Sequence, residues 1–328
     1  MTARMAAVAA VAVAVAGCGG VQSVLAPAGP GASRISELVW ILMVGTIVPA
    51  AVVIALILYA VFRGRRGGGG PRVGDTRLIV LGGAVLPGLI LLTFSALSAR
   101  YSAEVAVPPS PPAFTVEVTG HQYWWEAKYP DHGVVTANEI HVPVGQTVRL
   151  HLRASDVIHS FWVPRLHGKM DQTPGHTNVW WIQATEPGVF RGQCAEFCGL
   201  QHALMALLVI AQPPAEFDAW IARQRQPAPA PADPIRERGR QVFVEAGCAH
   251  CHAIQGGHVP RFTGSVGPDL THLGSRRTLA AATIENSREL LRAFVVDPHV
   301  FKPGVRMPAT RLPAEQLDAL LAYLATLQ

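Results

Sequence analysis

The sequence predicts a multidomain membrane protein that combines a two-helix transmembrane hairpin, a β-sandwich and an all-α C-terminal domain. Two long uncharged runs lie near the N-terminus, short alternating segments separated by turn residues follow, and helical periodicity marks the C-terminal region. Half of the 328 residues are apolar and only 15% are charged, which is unusual for a soluble protein. The net charge is +5, and the basic residues are scattered along the chain and do not form a stripe. Nucleic acid is therefore not an expected partner.

The first segment, residues 1–17, has the pattern of a lipoprotein-type signal peptide. Arg4 precedes a long Ala/Val run, and small residues lead to Cys18. This ending resembles a bacterial lipobox, which implies that Cys18 is lipidated and held in membrane lipid. The alternative is a cut nearby, with Cys18 incidental. Residues 18–36 are then expected to form an outer N-terminal tether.

Two transmembrane helices are predicted at residues 37–62 and 78–100. Each run is long enough to cross the hydrocarbon core of about 30 Å, which argues against a pair of buried core helices. The connecting loop, residues 63–77, contains five arginines: Arg63, Arg65, Arg66, Arg72 and Arg77. Such a loop is expected in the cytoplasm. The sequence therefore predicts a two-pass protein of the bacterial inner membrane, with its N-terminus and soluble domains on the outer, periplasmic face.

Residues 113–212 form the predicted sandwich domain. Residues 114–119 and 147–152 alternate apolar and polar side chains, and residues 178–182 are β-branched and aromatic. Proline and glycine turns separate these segments. Several short strands with such punctuation favour a β-sandwich.

The stretch CAEFCGLQHALM places Cys194, Cys198, His202 and Met205 within twelve residues. Thiolate, thioether and imidazole donors suit copper. The cysteines alone could form half of a structural zinc site, but zinc sites rarely include methionine. Two thiolates can bridge two copper ions, each of which then needs one terminal histidine. His202 supplies one, and the other is expected from elsewhere in the sandwich.

This stretch resembles the binuclear copper motif of subunit II of haem–copper cytochrome c oxidases. The segment from Ser155 to Pro164 resembles the same family's second histidine strand. The resemblance implies a cupredoxin-like sandwich with the copper ligands His159, Cys194, Glu196, Cys198, His202 and Met205. Glu196 would contribute its backbone carbonyl, and the family also uses this glutamate's side chain on a magnesium ion at the large-subunit interface.

The segment GHQYWWE resembles the family's aromatic cluster, near which electrons arrive from cytochrome c. By this resemblance Tyr123, Trp124 and Trp125 are candidates for electron input. Aromatic rings also pack protein cores. For one of the three rings we therefore expect a packing role.

Residues 213–234 are predicted to form a short amphipathic helix and a stiff Pro/Ala linker. Behind them, CAHCH contains Cys248, Cys251 and His252 in the c-type haem attachment pattern. The two thiols would form thioethers with the haem, and His252 would bind the iron. Residues 235–328 resemble class I cytochrome c, which implies an all-α haem domain.

The second axial ligand is predicted to be Met307, because a His/Met pair raises the potential for electron transfer. Met307-Pro308 also matches the family's Met-Pro. A bis-histidine haem would instead use one of three histidines: His258, His272 or His299.

Together these features favour a subunit of a respiratory terminal oxidase with cytochrome-c oxidase activity. Electrons would pass from an external donor, such as cytochrome c or a bc-type complex, to covalent haem c and then to the binuclear copper centre. The large haem–copper subunit, with further oxidase subunits, would reduce oxygen to water. Two alternatives stay open: the small subunit of a copper-containing nitric oxide reductase, and a membrane-tethered copper-binding or delivery protein.

Overall fold

The computed structural model describes residues 20–65, 75–256, 259 and 266–328. The predicted signal peptide, Cys18, most of the arginine-rich loop and His258 lie outside the described residues. The chain divides into two units. One is the helical hairpin, Gly31–Val107, and the other is a soluble unit formed by the described residues of 20–30 and 108–328.

The hairpin contains α1 (Pro30–Arg65), α2 (Asp75–Val80), a π-helical turn (Leu81–Val85) and α3 (Leu86–Ala106). Both helical segments are long and apolar enough to cross a membrane. The predicted pair of apolar helices is thus confirmed. Helix α1 extends beyond residues 37–62 at both ends, because backbone hydrogen bonding continues through the polar flanks.

The two helical segments of the hairpin run antiparallel. Arg34, near the start of α1, lies 3.8 Å from Glu104, near the end of α3. Nearer the middle, a Cβ at Gly45 would lie 2.5 Å from the ring of Phe94, so glycine permits this close approach.

The sandwich has ten strands in two five-stranded sheets, with orders β3-β2-β1-β5-β8 and β4-β10-β9-β6-β7. The strands are β1 Phe114–His121, β2 Trp124–Tyr129, β3 Val134–Ala137, β4 Glu139–Pro143, β5 Val148–Ala154, β6 His159–Trp162, β7 Met170–Gln172, β8 Asn178–Ile182, β9 Gly188–Cys194 and β10 Ala206–Gln212. The three strands predicted from sequence are confirmed. Buried side chains alternate along β1 and β5, as expected of strands with one face toward a core.

Helix α4 (Pro214–Gln224) closes one side of this core. Its apolar side chains Phe217, Trp220 and Ile221 are buried in the sandwich core, which confirms the predicted amphipathic helix. Trp220 stacks on His141 of β4 with ring centroids 4.0 Å apart.

The described segment before α1 is bound to the sandwich. The Ala28 backbone N–H donates to the Arg165 carbonyl at 2.7 Å, and the Thr185 N–H donates to the Ala28 carbonyl at 2.9 Å. The chain therefore leaves the soluble unit to begin α1 and returns to it after α3.

The C-terminal domain has its own core, built around α5 (Pro234–Glu245), α6 (Arg288–Val296) and α7 (Ala314–Leu324). The Asp233 carboxylate caps α5 by accepting a hydrogen bond from the Arg236 N–H at 2.9 Å. The leucines predicted as core on the last helix, Leu317, Leu320, Leu321 and Leu324, are buried. One short antiparallel pair, β11 (Thr278–Leu279) with β12 (Ile284–Glu285), was not predicted.

Candidate metal and haem centres

The predicted copper ligands lie together at the C-terminal end of β9. His159 is the first residue of β6, and Cys194 is the last residue of β9. Cys198, His202 and Met205 lie in the connection from β9 to β10. This connection is anchored because the Cys194 N–H donates to the Met205 carbonyl at 2.9 Å.

The distances among these side chains are those of a compact sulfur and imidazole cluster. The Sγ atoms of Cys194 and Cys198 are 3.8 Å apart, so the thiols are close but not joined as a disulfide. The Nδ1 atom of His159 lies 3.9 Å from Cys194 Sγ. The Nδ1 atom of His202 lies 3.9 Å from Cys198 Sγ, and the Met205 Sδ atom lies 3.8 Å from the same sulfur.

Glu196 contributes its backbone to this cluster. Its carbonyl oxygen is 3.1 Å from Cys194 Sγ, whereas its side chain is half exposed and lies 4.0 Å from Lys169 Nζ. The structure thus gathers the whole predicted copper set. A second carboxylate, that of Asp171, lies 3.8 Å from the same Lys169 Nζ.

The two thiols cannot both be ionised without a nearby cation. Contact with Cys198 is the largest influence on Cys194 and lowers the pKa of its thiol, and the same contact raises the pKa of Cys198. Two adjacent thiolates repel each other unless positive charge lies between them. The buried pair of cysteines therefore fits a soft metal cation as its natural partner.

Asp156, which the sequence reasoning did not assign, orients the first histidine. Its carboxylate lies 2.9 Å from His159 Nε2, which leaves Nδ1 of the ring directed at Cys194. Burial lowers the pKa of His159, but its contacts with Cys194 and Asp156 outweigh burial and raise it. A carboxylate behind a metal-binding histidine fixes the tautomer and the ring orientation. The signal in the sequence was an acidic residue three positions before the histidine.

Two further residues next to the cluster were also missed. The Gln122 side-chain amide donates to the Cys198 carbonyl at 2.7 Å and holds the cysteine loop. Gly120 lies against the His159 ring, where an added Cβ would be 2.8 Å from the ring carbon Cδ2. Both positions lie in the segment GHQYWWE, whose resemblance to the family's aromatic cluster pointed only to its three rings.

The three candidate aromatic residues are all buried but face different surroundings. Trp125 is in the sandwich core, with its ring centroid 6.0 Å from that of His159. Trp124 stacks on His121 at 4.3 Å. Tyr123 and Trp124 line the cavity described next.

A pair of adjoining cavities contains the residues predicted to hold the haem. Cys248, His252 and Met307 line both cavities, and Cys251 lines the larger one. Phe243, Leu291 and Leu320 supply apolar walls.

The walls of these cavities fit a bound group that carries hydrogen-bond acceptors. The His252 Nδ1 atom is 2.8 Å from the Pro268 carbonyl, which leaves Nε2 available. A Cβ at Gly267 would lie 2.5 Å from the His252 ring, so glycine is required there. Trp124 Nε1 and Arg276 Nε, both in the cavity walls, are buried without an acceptor among the described residues. A haem, with its carboxylates, would supply acceptors.

The two alternative axial histidines that the structure describes do not line these cavities. The Nε2 atom of His272 is 3.0 Å from the Gln224 carbonyl, and His299 is exposed. Met307 lines both cavities together with His252. This arrangement favours methionine as the second ligand.

Comparison with known families agrees with this description. Residues 132–212 match the family described as "Cytochrome C oxidase subunit II, periplasmic domain". Residues 236–328 match the family described as "Cytochrome c". The two matches imply copper and haem as cofactors.

The fold and the two sites define a membrane protein that joins a cupredoxin-like copper domain to a cytochrome c domain. Cytochrome c oxidase subunit 2 of Bacillus subtilis is 31% identical over 309 residues, which cover 88% of this chain and 86% of that protein. The chain belongs to the cytochrome c oxidase subunit II family.

Other relatives align with a smaller part of this chain. Cytochrome c oxidase subunit 2 of Alkalihalophilus pseudofirmus is 41% identical over 215 residues, 65% of this chain. That alignment spans 61% of the relative's length, which is less than two thirds. Among solved structures, the periplasmic domain of subunit II of cytochrome oxidase of Bradyrhizobium japonicum is 31% identical, with a TM-score of 0.35. It covers 35% of this chain and 96% of its own.

Proposed function

We propose that this chain is the electron-input subunit of a respiratory terminal oxidase with cytochrome-c oxidase activity. The observation that carries the proposal is that one soluble unit contains both the cluster of copper-binding residues and the cavity lined by CAHCH and Met307. When bound, the haem and the copper would act as one-electron carriers between an external donor and the large subunit that reduces oxygen.

In the copper site, Cys194 and Cys198 would bridge two copper ions. His159 and His202 would be the terminal ligands, and Met205 and the Glu196 carbonyl would be weak ligands. The 3.8 Å spacing of the two sulfurs supports this assignment, because each thiolate can face the same pair of ions. The sheet that contains β6, β9 and β10 holds the ligands in one geometry, which limits rearrangement when the oxidation state changes.

In the haem site, Cys248 and Cys251 would form the covalent thioethers. His252 and Met307 would bind the iron. The bond between His252 Nδ1 and the Pro268 carbonyl supports this role, because it fixes the tautomer that leaves Nε2 free.

The topology that we propose has both ends of the hairpin outside. The residues before α1 and those after α3 belong to the same soluble unit, which supports a two-pass arrangement. Cys18 would be lipidated on that side. The half-exposed carboxylate of Glu196 would contribute to a magnesium ion at the interface with the large subunit.

The test is purification of the chain from its native membranes in mild detergent, followed by oxygen uptake with reduced cytochrome c. We expect a co-purifying haem-rich subunit, oxygen consumption, and two copper ions and one covalent haem per chain. Consumption of nitric oxide but not oxygen would overturn the oxidase role. A chain that purifies alone, binds copper and transfers it to an acceptor protein would favour a delivery function.

A further inference from the structure

Lys302 is a buried lysine in the loop between α6 and Met307, and its residue is only 2% exposed. Its Nζ donates hydrogen bonds to the carbonyls of Tyr123 and Leu204, each at 3.0 Å. Both carbonyls belong to the copper domain. A third acceptor, the Ala280 carbonyl at 3.4 Å, belongs to the cytochrome domain. One amine from the cytochrome domain therefore bonds to two backbone positions of the copper domain.

A buried ammonium group is costly, and burial lowers the pKa of Lys302 to about 7. Such a group is not in itself a source of stability, because loss of hydration opposes its charged form. A polar group of this kind can instead specify one arrangement, because every alternative arrangement leaves its donors unpaired. The fixed carbonyls around Lys302 give it that role between two domains.

The hairpin β11–β12 extends the same interface. The buried carboxylate of Glu139 accepts hydrogen bonds from the backbone N–H groups of Arg277 at 2.8 Å and Thr278 at 3.0 Å. The Ala206 N–H, at the start of β10, donates to the Ala281 carbonyl at 3.1 Å. The start of the hairpin and its turn are therefore each hydrogen-bonded to a strand of the copper domain.

Further contacts connect the segment that carries Met205 to the cytochrome domain. Thr283 Oγ1 donates to the Leu204 carbonyl at 3.1 Å, directly before Met205. The Gln201 side-chain amide donates to the Pro303 carbonyl, next to Lys302. Both candidate thioether ligands therefore lie within a few residues of direct bonds between the domains.

We propose that the cytochrome domain is docked on the copper domain in one fixed orientation, and that Lys302 is the positioning residue that sets this orientation. The docked domain covers Tyr123 and Trp124, which are 9% and 8% exposed. An external protein donor then reaches this chain through the cytochrome domain and not through those rings. This consequence rests on the proposed electron-input role, whereas the docking itself rests on the contacts.

The experiment compares Lys302→Met with Lys128→Met in the full chain within its complex. Lys128 is the matched control, because its side chain is 46% exposed and pairs with Glu126 within β2. Two quantities are measured: the rate of haem-to-copper electron transfer after rapid photoreduction of the haem, and the distance between the two centres by pulsed electron paramagnetic resonance.

For Lys302→Met we expect a broader distribution of distances between the haem and copper centres. We also expect electron transfer from haem to copper to slow about tenfold, because the fraction of molecules with the domains docked would fall to about one tenth. The absorption spectra of both centres and the haem potential should match the parent protein. Lys128→Met should leave the rate and the distance unchanged. A single, parent-like distance together with a parent-like rate in Lys302→Met would overturn the proposal.

If Lys302→Met fails to fold, Thr283→Val tests the same interface. This variant removes one bond to the Leu204 carbonyl, and we expect faster hydrogen exchange at the Ala206 N–H. Unchanged exchange there would contradict docking. Oxygen uptake of the parent complex tests the oxidase role separately, because hydrogen exchange reports docking even in a chain without that activity.

Discussion

At the scale of single residues, the copper site depends on side chains outside the ligand set. Asp156 receives the backbone N–H groups of Gln122 at 2.7 Å and Val157 at 2.8 Å, and its carboxylate faces His159 Nε2. Burial raises the pKa of Asp156, but these hydrogen bonds outweigh burial and lower it. The carboxylate is therefore held ionised behind the ligand, where it keeps the imidazole in place.

The first prediction concerns Asp156→Asn, which keeps the shape of the side chain but removes its charge. We expect copper affinity to fall by about 10–100-fold, the usual effect of losing the partner behind a metal-binding histidine. Competition with a chelator, followed through the visible absorption of the copper site, measures this affinity. Asp218→Asn, at an exposed position on α4, is the control and should bind copper normally. Normal affinity in both variants would show that Asp156 does not support His159.

The second prediction concerns Met307→Ala in the haem cavity. Loss of the thioether should lower the haem potential by on the order of 100 mV, within the range of about 0.8 V that axial ligands span. It should also let the iron bind carbon monoxide or cyanide. Redox titration and ligand-binding spectra measure both effects. Met170→Ala, on β7 against the sandwich core, is the control. An unchanged potential would move the axial role to a histidine.

At the scale of elements, the cytochrome domain depends on the close crossing of α5 and α7. A Cβ at Gly239 would lie 2.0 Å from the Ala319 carbonyl oxygen and 2.7 Å from Tyr323 Cβ. The rings of Phe243 and Tyr323 meet beside this crossing at 6.3 Å. The backbone of α7 occupies the space that a side chain at position 239 would take, so α5 and α7 can approach this closely only because residue 239 is glycine.

The third prediction follows from this crossing. In an unobstructed helix, glycine to alanine stabilises by about 1 kcal/mol. At Gly239 we expect the opposite sign, a loss of about 1–3 kcal/mol, because the added methyl group overpacks the crossing. Thermal unfolding followed in the haem absorption band measures the change. Gln241→Ala, exposed on the same helix, is the control and should change stability little. A stabilised Gly239→Ala variant would contradict the packing.

At the scale of the whole molecule, the soluble unit has two separate hydrophobic cores joined by a polar interface. One core fills the sandwich and includes residues of α4, and the other lies among α5, α6 and α7. Hydrogen bonds to backbone groups, such as those of Lys302 and Glu139, join the two domains. Each core should therefore fold with its own cofactor site, whereas the interface fixes their mutual orientation.

The fourth prediction tests this independence with Cys198→Ser. Loss of one bridging thiolate should abolish electron flow from the haem to the large subunit, with oxygen uptake near zero. The haem c spectrum and potential should stay as in the parent protein, because the second core is intact. Stopped-flow reduction of the haem and oxygen uptake measure the two effects. Loss of the haem spectrum as well would show that the domains do not fold independently.

Much of the fold was predictable because its signals are local in the chain. The uncharged runs, the alternation along β1 and the leucines of α7 report burial through periodicity, and the structure confirms these elements. The candidate copper-binding and haem-binding residues were also predictable, since Cys194 to Met205 and Cys248 to His252 are short motifs. The hairpin β11–β12 was not predictable, because two-residue strands have no period to detect.

Periodicity and short motifs predict the apolar hairpin, the two domains and the residue types at each site. Three roles became visible only in the folded chain: Asp156 supports His159, Gly267 makes room for the His252 ring, and Lys302 bonds to the copper domain. The reason is physical. Periodicity and motif spacing record which face of an element is buried and which donors lie close along the chain. Contacts between residues far apart in sequence, such as Lys302 and Tyr123, arise from how the finished surfaces meet.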